Sequence, residues 1–243
     1  MTDLRAHEVH LWYVQKAAVD AHTLTSTYQN LLAQEERERC DRFRRATDRE
    51  RYLTARWLLR TSLSRYVDID PRDWRFSTSQ FGRPEVAFPN LNSLRFNLSY
   101  SGEAALLGVA WAREIGVDLE YVNTSTDVLQ LARHHFAPLE VEQLESVPGK
   151  RRRDLFFAIW TLKEAYVKAR GMGLSFPLKD FAVFPNHDHG AALTASFAWD
   201  PAPESWWLTE RRISRKYHAA LVVRSRSGPP IELVFRCLNS NHI

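Results

Sequence analysis

The sequence predicts a protein of the α+β class, built from two similar halves. Stretches typical of strands and of helices alternate along the chain, but without the regular rhythm of a doubly wound sheet. A helical stretch followed by several strand-like stretches occurs once in each half, and residues 112–116 form the natural boundary. We therefore predict an N-terminal half over residues 1–113 and a C-terminal half over residues 114–243.

The composition is that of a folded protein outside the membrane. Of 243 residues, 44% are hydrophobic, which is enough for a core and excludes a disordered or collagen-like chain. The longest apolar run, 104–112, is far shorter than the roughly 18 residues of a membrane span, and the N-terminus lacks a hydrophobic secretion segment. Two cysteines exclude a disulfide framework. We expect a cytoplasmic protein without a membrane partner.

The N-terminal half contains one helical region between strands. Residues 9–14 are β-branched and aromatic, as in a strand. Apolar residues at three- and four-residue spacing predict a helix that ends before Pro71, after a shorter charged helix over residues 31–45. Short strands are then predicted at 74–77, 85–88, 94–99 and 104–111, because turn-forming residues separate them.

The C-terminal half repeats this order. A strand is predicted at 115–121 and helices at 126–135 and 138–145, followed by a basic loop over 148–153. A long helix runs from about Asp154 to Arg170 and ends at Gly171, a residue suited to a left-handed cap. Strands are predicted at 181–184, 192–199, 205–209, 218–223 and 231–235.

Arginine is concentrated in one segment. Between Arg37 and Arg65 there are ten arginines and four acidic residues, although the whole chain carries a net charge of only +4. Guanidinium offers a planar fork of donors that remains charged, which suits phosphate groups. The segment could bind a small polyphosphate or a nucleic acid, or it could be a solvated helix face.

The strand over residues 115–121 carries two acidic side chains. Alternation places Asp118 and Glu120 on one face, about 7 Å apart at Cα. Two carboxylates at this spacing can converge on a hard cation such as Mg²⁺. The alternative is a half-buried strand whose polar face meets solvent.

The long helix carries a second polar group. Trp160, Glu164 and Lys168 occur at four-residue spacing, so they lie along one line beside the apolar face. A glutamate four residues before a lysine is often only a surface ion pair. Its position beside a large tryptophan and the core face suggests instead the edge of a site.

Two short segments of the N-terminal half complete the set. Gly82, Arg83 and Pro84 form a turn that offers backbone groups and a cation, and Ser99 and Tyr100 offer hydroxyl groups at the end of a strand. Either segment alone is also compatible with an ordinary turn.

In this order and spacing, the motifs resemble the Sfp-type 4′-phosphopantetheinyl transferases over about residues 10–223. They read Gly-Arg-Pro, Phe-Asn-Leu-Ser-Tyr-Ser, Gly-Val-Asp-Leu-Glu and Trp-x-x-Lys-Glu-Ala-x-x-Lys-x-x-Gly-x-Gly-Leu. The last two are highly specific. The sequence departs from the family at Tyr100, where the family has His, and at Arg83, where it has Lys.

The resemblance implies a monomer of two similar α+β halves with coenzyme A in the cleft between them. The reaction would move the 4′-phosphopantetheine arm to a serine of an acyl or peptidyl carrier protein and release adenosine 3′,5′-bisphosphate. Neither the carrier nor the tolerance for acyl-coenzyme A follows from the sequence. The carrier is expected to dock around residues 171–184, with Met172, Leu174 and Phe176 exposed; the alternative is a loop that packs on the core.

The resemblance also implies roles for individual residues. Asp118, Glu120 and Glu164 match the Mg²⁺ ligands, Lys168 matches the lysine on the diphosphate, and Glu164 or Glu120 is the candidate base. Gly82, Arg83 and Pro84 match the adenine-side loop, and Arg51, Ser99 and Tyr100 match positions near the 3′-phosphate. The alternative function is a non-catalytic phosphate or nucleic-acid binder that uses the arginine-rich helix. For the transferase, we expect no nucleic-acid partner.

Overall fold

The computed structural model describes residues 1–80, 82–91, 93–173, 176–186, 190–195, 200, 202–225 and 230–240, and it confirms the α+β class. The helices are α1 Ala21–Ser26, α2 Gln34–Asp41, α3 Ala46–Leu63, α4 Val128–His135, α5 Pro138–Ser146 and α6 Gly149–Arg170. The strands are β1 Glu8–Gln15, β2 Arg75–Thr78, β3 Pro84–Phe88, β4 Leu94–Ser101, β5 Ala104–Trp111, β6 Ile115–Tyr121, β7 Phe181–Asn186, β8 Gly190–Ala195, β9 Trp206–Ser214, β10 Tyr217–Arg224 and β11 Glu232–Cys237. In these ranges, no helix is both long and apolar enough to cross a membrane.

The chain forms two compact units. The first comprises Met1–Arg113 together with Pro229–Ile243, and the second comprises Glu114–Gly228. The sequence predicts the whole segment 114–243 in the second half, and this prediction is wrong for the C-terminal end, which belongs to the first unit. The reason is that β11 pairs in parallel with β1, whose other edge pairs with β5. A strand as deeply buried as β1 requires neighbours on both sides.

The first unit packs α3 on a four-stranded sheet in the order β11-β1-β5-β4. The helix contributes Trp57, Leu58 and Leu59 to the core, which also contains Trp74. The hairpin of β2 and β3 follows α3. The apolar face of α3 is therefore buried in this core. The arginines of α2 and α3 lie outside that apolar face.

The second unit packs α6 on the antiparallel sheet β6-β10-β9. The helix begins at Gly149, so the basic segment that the sequence predicted as a loop is its first turn. Lysine and arginine are good helix formers, and Pro148 stands at the N-cap. The predicted end is confirmed, because Gly171 adopts a left-handed conformation with φ of 65°.

A buried ion pair joins α6 to its neighbours in the second unit. Lys163 Nζ lies 2.7 Å from Glu140 Oε2 of α5 and donates to the carbonyl of Phe181 at 2.5 Å. Glu140 also accepts from the backbone N–H groups of Ala137 and Val183. Burial lowers the pKa of Lys163 to about 8 and raises the pKa of Glu140. This lysine of the helix motif therefore fixes the packing of α6 instead of facing a ligand.

Candidate active site

The site in the second unit depends on a close approach of β6 to α6 at Gly116. A Cβ atom at this position would overlap with the carbonyl oxygen of Ala165 and with the backbone nitrogen of Ala169. Both atoms belong to the helix backbone, which cannot turn aside as a side chain would. Only glycine therefore lets the strand lie this close to the helix. A glycine inside a strand is the sequence signal that indicates such a contact.

This contact brings the acidic strand motif to the polar line of α6. Asp118 is buried, and its Oδ1 accepts a hydrogen bond of 2.6 Å from Lys168 Nζ. Glu120 is half-buried and follows on the same face of β6, where it lies opposite His218 of β10. The structure thus joins the two sequence motifs through an ion pair.

Glu164 is the third carboxylate of this group. Burial raises the pKa of Glu164, and the negative charge of Asp118 raises it further, whereas Lys168 lowers it. A carboxylate whose charge is destabilised by burial and by a neighbouring carboxylate favours a bound cation. Asp118, Glu120 and Glu164 offer only carboxylate oxygens, which are the ligands that Mg²⁺ prefers. The donor set therefore fits the expected magnesium ion.

A groove begins beside Glu120. It has a volume of about 240 Å³, and apolar and aromatic side chains form most of its wall. The lining residues are Glu120, Tyr121, Asn123, Thr126, Leu131, Phe156, Phe157 and Trp160. Trp160, which the sequence placed on the polar line of the helix, therefore borders the groove together with one of the three acids.

The first unit contains a pocket that two residues of the Gly-Arg-Pro turn line, whereas Arg83 is not among the lining residues that the structure describes. Gly82 adopts a φ of 82°, and its N–H donates to the carbonyl of Ser79, which closes the turn between β2 and β3. Gly82 and Pro84 line a pocket of about 230 Å³. Phe81, the residue before this turn, lies outside the described residues.

Three arginines of the arginine-rich segment, none of them a predicted site residue, also line this pocket. The guanidinium groups of Arg39 and Arg56 lie over the ring of Tyr52, at 5.7 and 5.1 Å from its centroid. Arg60 is fully buried and forms an ion pair of 2.5 Å with Glu36, whose other oxygen lies 3.3 Å from Arg56. The spacing of Tyr52, Arg56 and Arg60 on one helix face was the available signal.

The residues expected at the 3′-phosphate lie elsewhere in the first unit. Among the described residues, the lining of this pocket does not include Arg51, Ser99 or Tyr100. Arg51 Nη1 lies 3.5 Å from Asp48 Oδ1. Ser99 is buried while Tyr100 is 37% exposed, because neighbours on β4 point to opposite faces. Their contact with a phosphate stays a prediction.

Part of the expected carrier-docking segment at residues 171–184 packs on the core. Phe176 is only 7% exposed and contacts the rings of Tyr166 and Phe181, so the prediction that it is exposed is wrong. Met172 is partly buried against the same cluster. Leu174 lies outside the described residues. The alternative that the sequence left open, a loop that packs on the core, therefore describes Phe176 and Met172.

Replacing Gly116 by alanine should separate β6 from α6. We expect the Gly116→Ala variant to lose about 3 kcal/mol of stability, at the upper end of the range for overpacking, because the contact is with backbone atoms. Urea unfolding of the variant measures this loss. Gly149→Ala is the control for space, since its Cβ would meet nothing within 4 Å. Because Gly149 has a φ of 50°, this control should lose about 1–2 kcal/mol from backbone strain alone. Equal unfolding midpoints for Gly116→Ala and wild type would contradict the close approach.

Comparisons with known proteins agree with the motifs in both units. The profile of the 4′-phosphopantetheinyl transferase superfamily matches residues 114–222, and that of the N-terminal region of a 4′-phosphopantetheinyl transferase matches residues 21–111. Among solved structures, a holo-(acyl-carrier-protein) synthase of Bacillus anthracis in complex with CoA covers 46% of this chain and 96% of its own, at 23% identity and a TM-score of 0.38. That score is too low to bear on the site.

Individual relatives extend the match. The 4′-phosphopantetheinyl transferase HetI of Nostoc sp. is 34% identical over 199 residues, which cover 81% of this chain and 82% of HetI. The transferase Sfp of Bacillus subtilis is 33% identical over 66% of this chain and 70% of its own length. A Synechocystis sp. protein, provisionally named a 4′-phosphopantetheinyl transferase, is 43% identical over 61% of this chain, and the match spans only 60% of that protein.

These matches favour the transferase over the non-catalytic binder, because they cover the arginine-rich segment and the acidic motifs together. The family predicted from the motifs is confirmed. The alignment with HetI covers four fifths of each sequence at 34% identity. This chain therefore belongs to the 4′-phosphopantetheinyl transferase family.

Proposed function

We propose that this chain transfers the 4′-phosphopantetheine arm of coenzyme A to a serine hydroxyl of an apo acyl or peptidyl carrier protein. The serine oxygen forms a bond to the phosphorus of the arm, and the bond from that phosphorus to the bridging oxygen of the diphosphate breaks. Adenosine 3′,5′-bisphosphate leaves, and the serine proton passes to a carboxylate of the site.

One observation carries the proposal. Lys168 donates to Asp118 beside Glu164, and the close approach at Gly116 holds the helix and the strand in that arrangement. Attack on a diphosphate requires positive charge at the oxygens and a nearby base. The second unit offers a cation beside two carboxylates, and Glu120 follows on the same face of β6 and lines a groove.

Asp118, Glu120 and Glu164 would hold Mg²⁺ in this proposal. A bound Mg²⁺ ion would neutralise charge on the diphosphate oxygens. Asp118 also keeps the lysine in place, since it accepts its hydrogen bond. Replacement of Asp118 by the neutral amide asparagine would remove the charge that holds the metal ion but would keep an oxygen that accepts from Lys168.

Lys168 would bind the diphosphate and orient it. Its ammonium is partly exposed, with 29% of the side-chain surface accessible, so it can contact a ligand while it donates to Asp118. Glu164 or Glu120 would accept the serine proton. A raised pKa suits Glu164 to this role, because a base works best when its pKa lies near the operating pH.

The first unit would bind the nucleotide. Its pocket of about 230 Å³ is smaller than the roughly 300–1,000 Å³ of sites that enclose a whole drug-sized ligand. It therefore suits one end of a long anionic donor. We assign Gly82, Arg83 and Pro84 to the adenine side and add Arg39 and Arg56 as cations of the same pocket. The cytoplasmic location and the monomeric state stay predictions from the sequence.

A mass measurement tests the reaction. The full chain is mixed with coenzyme A, Mg²⁺ and a purified apo acyl carrier protein or apo peptidyl carrier domain, and the carrier is weighed. We expect a gain of one phosphopantetheine arm, which EDTA prevents and added Mg²⁺ or Mn²⁺ restores. Salt-sensitive binding to DNA without any gain of carrier mass would instead support the non-catalytic alternative.

Variants of two arginines of α3 distinguish binding of the 3′-phosphate from binding of the rest of coenzyme A. We expect Arg51→Ala to weaken coenzyme A by about 1.5–3 kcal/mol, the range of a charge-assisted hydrogen bond, and 3′-dephospho-coenzyme A much less. Arg56→Ala should weaken both donors alike, since it lines the pocket of the adenine-side turn. Calorimetric titration of both variants with coenzyme A and with 3′-dephospho-coenzyme A measures these losses of affinity. Equal losses for both donors in Arg51→Ala would remove Arg51 from the 3′-phosphate.

Tyr100 stands where the family has histidine. If it lies against the 3′-phosphate, Tyr100→His should bind coenzyme A as tightly as wild type or more tightly. The gain should be larger below about pH 6.5, where an imidazole is charged. Coenzyme A titrations at two pH values measure it. Weaker binding of the variant at low pH would argue against this placement.

A further inference from the structure

Three side chains that can bind a metal ion lie together in the first unit, on two strands. His7 precedes β1, Glu8 is the first residue of β1, and Glu232 is the first residue of β11. One ligand atom of each residue lies within 4.8 Å of the ligand atoms of the other two. His7 Nε2 is 3.6 Å from Glu232 Oε2. An imidazole and two carboxylates therefore surround one point, in a part of the chain that the proposed reaction does not use.

The pairing of β1 with β11 brings two negative charges together. The parallel register places Glu8 directly opposite Glu232, and like charges in such positions destabilise a sheet. Only 5% of the Glu8 side chain is exposed, so solvent and salt screen its charge less than that of a surface residue. A divalent cation between the two carboxylates would remove this repulsion.

Arg5 offsets only part of this negative charge. Its Nε atom lies 2.7 Å from Glu8 Oε1, and its backbone N–H donates to Glu8 Oε2 at 3.0 Å. A carboxylate accepts at about four lone-pair positions, so both oxygens of Glu8 keep room for another partner. In the described part of the chain, Glu232 forms an ion pair with the imidazole of His7 and with no other cation. Arg5 therefore leaves one carboxylate without a permanent positive charge.

A buried chain of polar side chains holds Glu8 in position. His10 Nε2 lies 3.4 Å from Glu8 Oε2, and His10 Nδ1 lies 2.9 Å from the hydroxyl oxygen of Tyr66. The indole N–H of Trp12 donates to the same hydroxyl at 2.6 Å. Since that oxygen accepts from Trp12, its own proton is available to His10 Nδ1, and the Nε2–H of His10 then faces Glu8. Metal ligands in proteins are held by hydrogen bonds of this kind.

We propose that His7, Glu8 and Glu232 form a binding site for a divalent transition-metal ion, with Zn²⁺ as the best fit. Zn²⁺ binds imidazole nitrogen and carboxylate oxygen at about 2.0–2.2 Å, so the ligand atoms of a tetrahedral site lie about 3.4 Å apart. The distance of 3.6 Å between His7 and Glu232 is already close to this value. The imidazole nitrogen favours Zn²⁺ over Mg²⁺ and Ca²⁺, which prefer oxygen ligands.

The ion would fasten β11 to β1. In the described part of the chain, β11 lies at the edge of its sheet, with β1 as its neighbour. An edge strand with one neighbour opens more easily than a central strand. Glu232 would have to leave the ion before β11 could leave β1. A bound ion therefore stabilises the pairing of two strands that are more than 200 residues apart in sequence.

Calorimetric titration of the full chain with Zn²⁺, in excess Mg²⁺, tests the site. We expect one Zn²⁺ ion that Glu232→Gln binds at least about a hundredfold more weakly, because losing a direct ligand costs more than losing the outer partner of a ligand. Glu114→Gln is the matched control. The Glu114 side chain is 55% exposed and that of Glu232 is 54% exposed, and Glu114 has a similarly distant cation at 3.7 Å. This control should bind Zn²⁺ as wild type does.

The nitrogen ligand is tested in the same way. His7→Ala should weaken Zn²⁺ binding about as much as Glu232→Gln does, whereas His22→Ala, which changes an exposed histidine of α1, should have no effect. Circular dichroism without Zn²⁺ shows that each variant is folded. Equal Zn²⁺ binding by wild type, Glu232→Gln and His7→Ala would overturn the site, and so would the absence of binding by wild type.

Hydrogen exchange measures the effect of the ion on β11. At Zn²⁺ ten times above its dissociation constant, the amides of β11 should exchange about tenfold more slowly in wild type and in Glu114→Gln, because opening requires release of the ion. In Glu232→Gln, Zn²⁺ should not change their exchange. Exchange in wild type that Zn²⁺ leaves unchanged, or that Ca²⁺ slows as much as Zn²⁺ does, would overturn the proposal.

Discussion

Asp118→Asn and Glu164→Gln should each lower the rate of phosphopantetheine transfer by about a thousandfold or more. Each change removes one negative charge from the carboxylate group but keeps the shape of the side chain. Loss of metal-assisted charge stabilisation is worth several kcal/mol, and about 4 kcal/mol corresponds to a thousandfold in rate. The mass of the carrier, followed over time at saturating coenzyme A, measures the effect.

The fold should remain in both variants. In Asp118→Asn, the amide oxygen of the new side chain would still accept from Lys168, so the contact between β6 and α6 is kept. Glu142→Gln on the exposed face of α5 is the control for a lost carboxylate and should transfer at the wild-type rate. Near-normal rates for Asp118→Asn at saturating Mg²⁺ would contradict the assignment of the metal ligands.

The sequence predicted the parts of this site whose geometry is local. Helical spacing placed Glu164 and Lys168 on one line, and strand alternation placed Asp118 and Glu120 on one face. Both follow from a single element, and the structure has both elements. The close approach of β6 to α6, in contrast, does not follow from either element alone. It depends on a glycine at position 116 that lies against the backbone of α6, and such a contact appears only once the helix is packed on the sheet.

The errors have the same origin. β11 joins the first unit through pairing with β1, more than 200 residues earlier in the chain, and no periodicity within either strand indicates it. Arg60 reads as part of a basic helix face, yet it is fully buried, because Glu36 and two carbonyls accept its hydrogen bonds. Phe176 reads as an exposed residue of a loop, yet two rings cover it. Each depends on contacts with another element of the fold, which the periodicity within one segment does not indicate.

Lys163 is the motif residue whose replacement should cost the most stability. Lys163→Met should lower the free energy of unfolding by about 3–5 kcal/mol, because Glu140 would remain buried without its cation. Lys168 of the same motif, which is partly exposed, gives the contrast. Lys168→Met should cost about 1–3 kcal/mol in stability, because it leaves the buried Asp118 without its donor, but it should strongly reduce transfer. Urea unfolding and the carrier assay, applied to both variants, separate the two lysines of the motif.

A double variant of Lys163 and Glu140 identifies why Lys163→Met loses stability. If the uncompensated charge of Glu140 causes it, Lys163→Met combined with Glu140→Gln should be more stable than Lys163→Met alone by about 1–2 kcal/mol, since a neutral amide costs less to bury than a charge. The amide oxygen of glutamine would still accept from Ala137 or Val183. If the double variant instead loses as much stability as the single variants Lys163→Met and Glu140→Gln together, the two residues act independently. The ion pair would then not be what holds α6 against α5 and β7.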